Sequence, residues 1–407
     1  MDMEEQPKDQ PTPQDSADQR PPANGAAPDT PPTDQGAPAP AGGETAAAPE
    51  TPAADQGAPA PPVAATPAAP ASSPAAPETP APDGAASPAA SAPAWQQQRV
   101  DLEKIRSAVY RVKHEMRKVI VGQDQMVDLL LAGLFAGGHI LMEGVPGIAK
   151  TLSAKLLART MSVDFSRIQF TPDLMPTDVT GTSIFNLKSS EFNFNKGPIF
   201  SNVILIDEIN RAPAKTQAAL FEVMEERQVT VDGKTYQMEF PFFVVATQNP
   251  IEQEGTYQLP EAQLDRFIFK IKLTYPTLDD ELEILKRFRD DFTLKATQTV
   301  EAAMTAEDLR ECRGLVEKIL IKDDLLRYIA QIVDHTRNSG DLFLGASPRA
   351  SLAILRTSKA IAAMNGRDFV TPDDVKFVAT PVLNHRVILS PDREMEGVTA
   401  EDVIREI

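Results

Sequence analysis

HILMEGVPGIAKT, residues 139–151, is the stretch on which the fold turns. Its first four residues, His139 to Met142, make a short apolar run of the kind carried by a strand buried on both faces. Gly144-Val145-Pro146-Gly147-Ile148-Ala149-Lys150-Thr151 follows at once, and the run Leu152–Thr160 after it is helical in pattern. Strand, glycine-bearing loop and helix in that order are the context a phosphate-binding loop requires. Glycines there let backbone amides approach phosphate oxygens, and the helix N-terminus adds positive potential. A lysine in the position of Lys150 reaches the β- and γ-phosphates of ATP, and a hydroxyl in that of Thr151 ligates Mg²⁺. One position departs from the usual pattern, because Ala149 stands where glycine is expected before the lysine. A residue entering a right-handed helix needs no positive φ, so alanine is expected to sit there without strain.

The complementary half of such a site is Val203-Ile-Leu-Ile206-Asp207-Glu208, an apolar strand that delivers two carboxylates at its C-terminal end. Asp207 would hold the Mg²⁺ shell through water, and Glu208 would orient and polarise the attacking water. Working outward, β-like runs occur at His139–Met142, Arg167–Phe170, Val203–Ile206, Phe242–Ala246 and Phe267–Leu273, alternating with helical patterns. That alternation predicts a doubly wound α/β fold with a parallel five-stranded sheet. A first helix is expected over Asp101–Lys118, from the spacing of Leu102, Ile105, Val109, Val112 and Met116. After Leu273 strand signals give way to helix starts, Thr277 with Asp280, Thr305 with Asp308, and Thr371-Pro372 with Asp374. Gly366 is placed to end the helix that begins near Ser347. The expected organisation is a tail over 1–94, an α/β core over 95–274 and a smaller all-helical lid over 275–407.

Composition separates the tail from the rest. Residues 1–94 hold 23 of the 36 prolines and are otherwise mostly Ala, Gly, Ser, Thr, Asp and Gln, with DQGAPAP recurring at 34–40 and 55–61. Such a segment cannot bury enough apolar surface to offset its ordering entropy, so a disordered, partly polyproline-II arm is expected. It carries 13 acidic and 2 basic residues, and of the net charge of −18 about −7 remains for the folded part. That balance argues against a nucleic-acid-binding surface. Cys312 is the single cysteine, which excludes an intramolecular disulfide and fits a reducing compartment. The start, MDMEE, has no charged and apolar leader, and Met126–Met142 is interrupted by Asp128 and three glycines. A cytoplasmic protein that does not span a membrane is expected. His114, His139, His335 and His385 are scattered, so no metal site beyond nucleotide-bound Mg²⁺ is expected.

Longer stretches carry a family resemblance. EGVPGIAKT (143–151), FTPDLMPTDVTGT (170–182), GPIFSNVILIDEINRAPAKTQAALFEVMEERQVTVDG (197–233), ATQNPIEQEGTYQLPEAQLDRF (246–267) and GASPRA (345–350) resemble AAA+ ATPases of the MoxR family. The likeness extends over most of 100–407, and the Ala before the P-loop lysine is itself a family trait. It implies a P-loop AAA+ core with a helical lid, working as a ring, hexameric by analogy, though the sequence leaves the subunit number open. Residue by residue, it makes Asn249 the sensor-1 group, Arg266 in LDRF the arginine finger and Arg349 in SPR the sensor-2 arginine, in cis or in trans. Arg211 in EINRA is the rival finger. The backbone of Val121 and Gly122 is assigned to the adenine pocket.

Two further segments bear on what such a motor moves. Asp232-Gly233 between QVTV and TYQM is a strong hairpin signal, either pore-facing by resemblance or a plain surface hairpin. Residues 180–195 resemble the family's insertion in the second helix, with Phe185, Phe192 and Phe194 serving either as a gripping surface or as core. The resemblance implies ATP-driven remodelling of protein clients, including ones with a von Willebrand factor A domain; a magnesium-chelatase-like motor subunit is the alternative. A nucleic-acid motor is disfavoured by the acidic balance, and a non-hydrolysing scaffold by the presence of Lys150, Asp207, Glu208, Asn249, Arg266 and Arg349. Deleting residues 1–94 should shift the melting temperature little, because a segment without a core contributes few native contacts. A large fall in calorimetric Tm would contradict the reading of the tail.

Overall fold

The computed structural model describes residues 101–188, 190–250, 257–289 and 299–407, so the tail expected over 1–94 lies outside the described residues. All of the described chain belongs to one compact unit, Ala86–Ile407. Two helices open it, α1 (Glu103–Arg117) and α2 (Asp124–Ala136), followed by β1 (His139–Glu143), α3 (Lys150–Thr160), β2 (Phe165–Gln169) and the short α4 (Pro176–Thr180). A hairpin, β3 (Gly181–Asn186) and β4 (Glu191–Lys196), precedes β5 (Val203–Asp207) and α5 (Ala214–Glu226). A second hairpin, β6 (Gln228–Val231) and β7 (Lys234–Gln237), precedes β8 (Phe243–Gln248), α6 (Glu261–Leu264) and β9 (Phe267–Lys272).

The main sheet has five strands in the order β2-β5-β8-β1-β9, every pair parallel, as the α/β alternation predicts. Its inner strands β5 and β8 are apolar on both faces because both are covered. Val203 and Leu205 of β5 and Phe243 and Val245 of β8 point into one core, which they share with α1, α2, α3 and the C-terminal helices. Ile204, Ile206, Val244 and Ala246 point the other way, into a core shared with α5. Each of these eight side chains is fully buried, and a single buried Leu or Ile is worth roughly 1.5–3 kcal/mol.

Beyond β9 the chain is mainly helical, with α7 (Leu278–Arg289), α8 (Ala306–Glu317), α9 (Asp323–Asn338), α10 (Pro348–Met364), α11 (Pro372–Leu383), α12 (Pro391–Met395) and α13 (Ala400–Glu406). The expected caps are present. Thr305 with Asp308 and Thr371 with Asp374 form capping boxes, and Thr277 with Asp280 makes the same reciprocal bonds at the start of α7. Gly366, at φ 73°, follows the end of α10. One feature was not anticipated: the helical lid carries a small antiparallel pair, β10 (Leu342–Leu344) with β11 (Ile388–Leu389).

His139 and His385 are buried structural groups. The Val244 amide donates to His139 Nδ1 at 3.0 Å, which leaves Nε2 to donate to the Met224 carbonyl at 3.1 Å, so the ring is held neutral. Burial pushes its pKa down to about 4, with Arg227 and Arg313 nearby adding to the effect. A depressed histidine pKa contributes stability that is complete above the unfolded value near 6.5 and is lost as pH falls toward the folded value. Between pH 7 and pH 5 His139 should therefore remove about 2 kcal/mol of stability. Denaturant titrations of the parent and His139→Gln should give a smaller pH 7-to-5 difference in the variant; equal differences would contradict the assignment.

Candidate functional site

Parallel pairing brings the C-terminal ends of β1, β5 and β8 to one edge of the sheet, and each ends in a residue the sequence singled out. The loop after β1 supplies Pro146, Gly147, Ala149, Lys150 and Thr151, β5 supplies Asp207 and Glu208, and β8 leads into Asn249. Together with Arg167, Gln169 and Thr247 they line a cleft of about 360 Å³. Register fixes the approach, since Gln169 stands opposite Asp207 and Glu143 opposite Gln248.

Within the loop, Lys150 Nζ donates to the Gly144 carbonyl at 2.6 Å, so its side chain bends back across the loop. Ile148 is buried beneath the loop, and a side chain at Gly144 would collide with it and with Leu273. Gly144, Val145 and Ile148 thus shape the loop from below and do not line the cleft. Ala149 corrects the expectation drawn from the sequence. It is not already helical but left-handed, at φ 61° and ψ 17°, as N-cap of α3. The chain must reverse its amide direction immediately before Lys150, and a non-glycine residue in that conformation costs on the order of 1 kcal/mol.

The carboxylates are held differently. Asp207 is buried, and Thr247 Oγ1 donates to its Oδ1 at 2.8 Å, while Arg167 Nε donates to Oδ2 at 2.7 Å and Thr151 Oγ1 lies 3.4 Å from Oδ2. Glu208 has a left-handed backbone, φ 57°, and its amide donates to Thr247 Oγ1 at 3.1 Å. Gln169 Nε2 donates to Glu208 Oε2 at 2.7 Å, and Arg211 Nε stands 3.1 Å from that same oxygen. Arg167, Gln169 and Thr247 carry no motif that marks them as site residues, since they stand inside a strand run and the ATQN stretch. The signal available was β2 itself, where polar Arg167 and Gln169 flank buried Ile168 at the end of an otherwise apolar sheet. Thr151 and Asp207 bring a hydroxyl and a carboxylate together, the hard-oxygen donor set that suits Mg²⁺.

Three groups of residues lie elsewhere. Val121 and Gly122 fall outside the cleft lining; Gly122, at φ 70°, abuts the Asp280 carboxylate, which a Cβ there would strike. Arg266 precedes β9, paired with the start of β1, and so sits at the N-terminal edge of the sheet, opposite the cleft. A strand of five or six residues spans about 15–20 Å, beyond an arginine's reach. Arg349, in the first turn of α10, lies with it in a second cleft of about 360 Å³, lined also by Glu225, Arg227, Arg356 and Arg386. The site residues thus divide into two sets on opposite edges of one sheet.

The chain matches the model of the ATPase family associated with various cellular activities (AAA) over residues 139–269, and that of the AAA lid domain over residues 334–407. It is 47% identical to the uncharacterized protein YeaC of Bacillus subtilis over 296 residues, 73% of this chain and 91% of that one. With the chaperone MoxR1 of Mycobacterium tuberculosis it shares 44% identity over 306 residues, 73% of this chain and 80% of the other. A crystal structure of a provisionally assigned ATPase from Cytophaga hutchinsonii superposes with a TM-score of 0.70 at 46% identity, covering 75% of this chain and 94% of that one. With the phosphate loop, the paired carboxylates and the helical lid in one arrangement, these likenesses settle the family: the chain belongs to the MoxR-type AAA+ ATPases.

Proposed function

We propose that the chain binds ATP with magnesium in the cleft at the C-terminal edge of the sheet and hydrolyses it within a closed ring, using the energy to remodel or activate partner proteins. The observation that carries the reading is the convergence of Lys150, Thr151, Asp207, Glu208 and Asn249 on one cleft from three adjacent strands. Lys150 compensates phosphate charge. Thr151 and Asp207 would hold magnesium, which when bound neutralises charge on the β- and γ-phosphates. Glu208 takes the proton of the attacking water as the bond from the γ-phosphorus to the bridging oxygen breaks and ADP leaves, and Asn249 positions that water. Gln169 and Arg211 hold Glu208 until nucleotide arrives, and Arg167 holds Asp207.

Within the subunit, Arg167 and Arg211 are engaged by Asp207 and Glu208, and Arg266 and Arg349 stand at the far edge of the sheet. In a ring that edge faces a neighbour, so both arginines act on the adjacent subunit's triphosphate. Ring assembly is supported by this division of the site and by family membership.

For the client end of the reaction, the insertion hairpin is the favoured contact. Phe185 and Phe192 pair across β3 and β4 with ring centroids 5.1 Å apart and remain exposed, together with Ile184 and Leu187. Phe194 packs instead, stacking on Tyr236 of the second hairpin at 4.4 Å. Phe185 and Phe192 are thus exposed for contact, while Phe194 is half-buried between the two hairpins. The second hairpin turns through Asp232 and Gly233, both at positive φ, as its sequence predicts.

Lys150→Ala should abolish ATP binding, whereas Glu208→Gln should bind ATP and release no phosphate, as read by fluorescent-nucleotide titration beside a phosphate-release assay. Parent-like binding and turnover in both variants would contradict the site. Arg266→Ala should bind ATP but lose on the order of 10³–10⁵ in turnover. Mixed with Glu208→Gln it should regain part of that activity, because some interfaces then combine an intact Glu208 with an intact Arg266. Failure to recover in demonstrably mixed rings would contradict action between subunits.

A further inference from the structure

Arg266 and Arg349 come from different elements yet end on one side chain. Arg266 Nε lies 2.9 Å from Glu225 Oε2, and Arg349 Nη2 lies 2.7 Å from Glu225 Oε1, so each oxygen of a single carboxylate takes one guanidinium. Arg266 also lies over the Phe221 ring, with Cζ 5.8 Å from its centroid, while its Nε is buried without an aligned hydrogen bond. A second carboxylate fastens the elements behind them. Asp265 accepts from Arg386 Nε at 2.6 Å and from Ser347 Oγ at 2.8 Å, and Ser347 is the N-cap of α10. The start of β9 and the start of α10 are therefore tied twice, once by the residue before the finger and once by Glu225.

Charge in this cleft does not balance. Arg227, Arg266, Arg349, Arg356 and Arg386 face two carboxylates, Glu225 and Asp265, and Arg356 has no ion pair among the described residues. Glu225 offers two oxygens to two guanidinium forks, as a phosphate does, but it neutralises only one of the two charges. What remains is a pair of arginines held side by side with surplus positive charge toward solvent. Glu225 itself lies outside the ATP cleft and is more than a third exposed, where an ion pair adds little to stability.

We propose that Glu225 is a positioning residue that sets Arg266 and Arg349 as a two-arginine claw for the triphosphate bound by the neighbouring subunit. The proposal rests on the reading that these arginines act between subunits. The full-length Glu225→Gln and Glu225→Asp variants test it. Glu225→Gln should keep its melting temperature and its affinity for ATP, lose about tenfold or more in kcat, and be partly rescued by aspartate. Mixed with Glu208→Gln it should recover activity, and mixed with Arg266→Ala it should not, because Glu225 and Arg266 serve the same side of the interface. Parent-like kcat in Glu225→Gln would overturn the proposal while leaving intersubunit action intact. Recovery with Arg266→Ala but not with Glu208→Gln would also overturn it. If Arg266→Ala and Glu208→Gln themselves fail to complement in mixed rings, the intersubunit reading falls, and the claw with it.

Discussion

Parallel pairing of every strand in the main sheet is the constraint from which the rest follows. Because β1, β5 and β8 run side by side in one direction, the chain exits carrying Lys150, Asp207 and Asn249 must open onto the same edge. The approach to β9 must lie at the opposite edge, so Arg266 is separated from its own phosphate loop by the length of a strand. The same pairing that gathers Lys150, Asp207 and Asn249 at one edge thus holds Arg266 away from them. In the proposed function a second copy of the chain brings the two together.

Energetically the arrangement is supported from both faces. The alternating apolar residues of β5 and β8 feed two cores, and the residues at the cleft edge are carried by strands they do not have to stabilise themselves. Of the described non-glycine residues with left-handed backbone, Ala149 and Glu208 stand next to this edge, while Ser162, Ser190, Arg227 and Asp232 stand elsewhere. The cost at Ala149 and Glu208 is small against the burial beneath them. Polar contacts complete the picture: Arg167 and Thr247 occupy the Asp207 carboxylate, and Gln169 and Arg211 occupy Glu208. In the proposed function, nucleotide binding exchanges these contacts and so couples ligand to conformation.

Much of this was legible in the sequence, for identifiable reasons. Continuous apolar runs identify β5 and β8, because strands covered on both faces have no polar side. Thr305 with Asp308 and Thr371 with Asp374 signal helix starts through a local hydrogen-bond exchange that needs no tertiary knowledge. The φ of Ala149 was not legible, since it depends on how the loop must turn to aim amides inward, and the residue type argued the other way. Nor was Glu225: nothing in an acidic residue at the end of α5 announces that two distant arginines will converge on it. The roles proposed for Arg266 and Arg349 rest on family resemblance alone, whereas sheet topology places Arg266 and the first turn of α10 places Arg349.

The most direct test of the division of the site is a cryo-electron microscopy structure of the Glu208→Gln protein saturated with ATP and magnesium. The account predicts a ring in which the Arg266 and Arg349 guanidinium groups of each subunit lie within about 3 Å of phosphate oxygens bound to the Lys150 loop of the next subunit. Arginines that remain far from any neighbour's nucleotide, or that reach the phosphates of their own subunit, would contradict it.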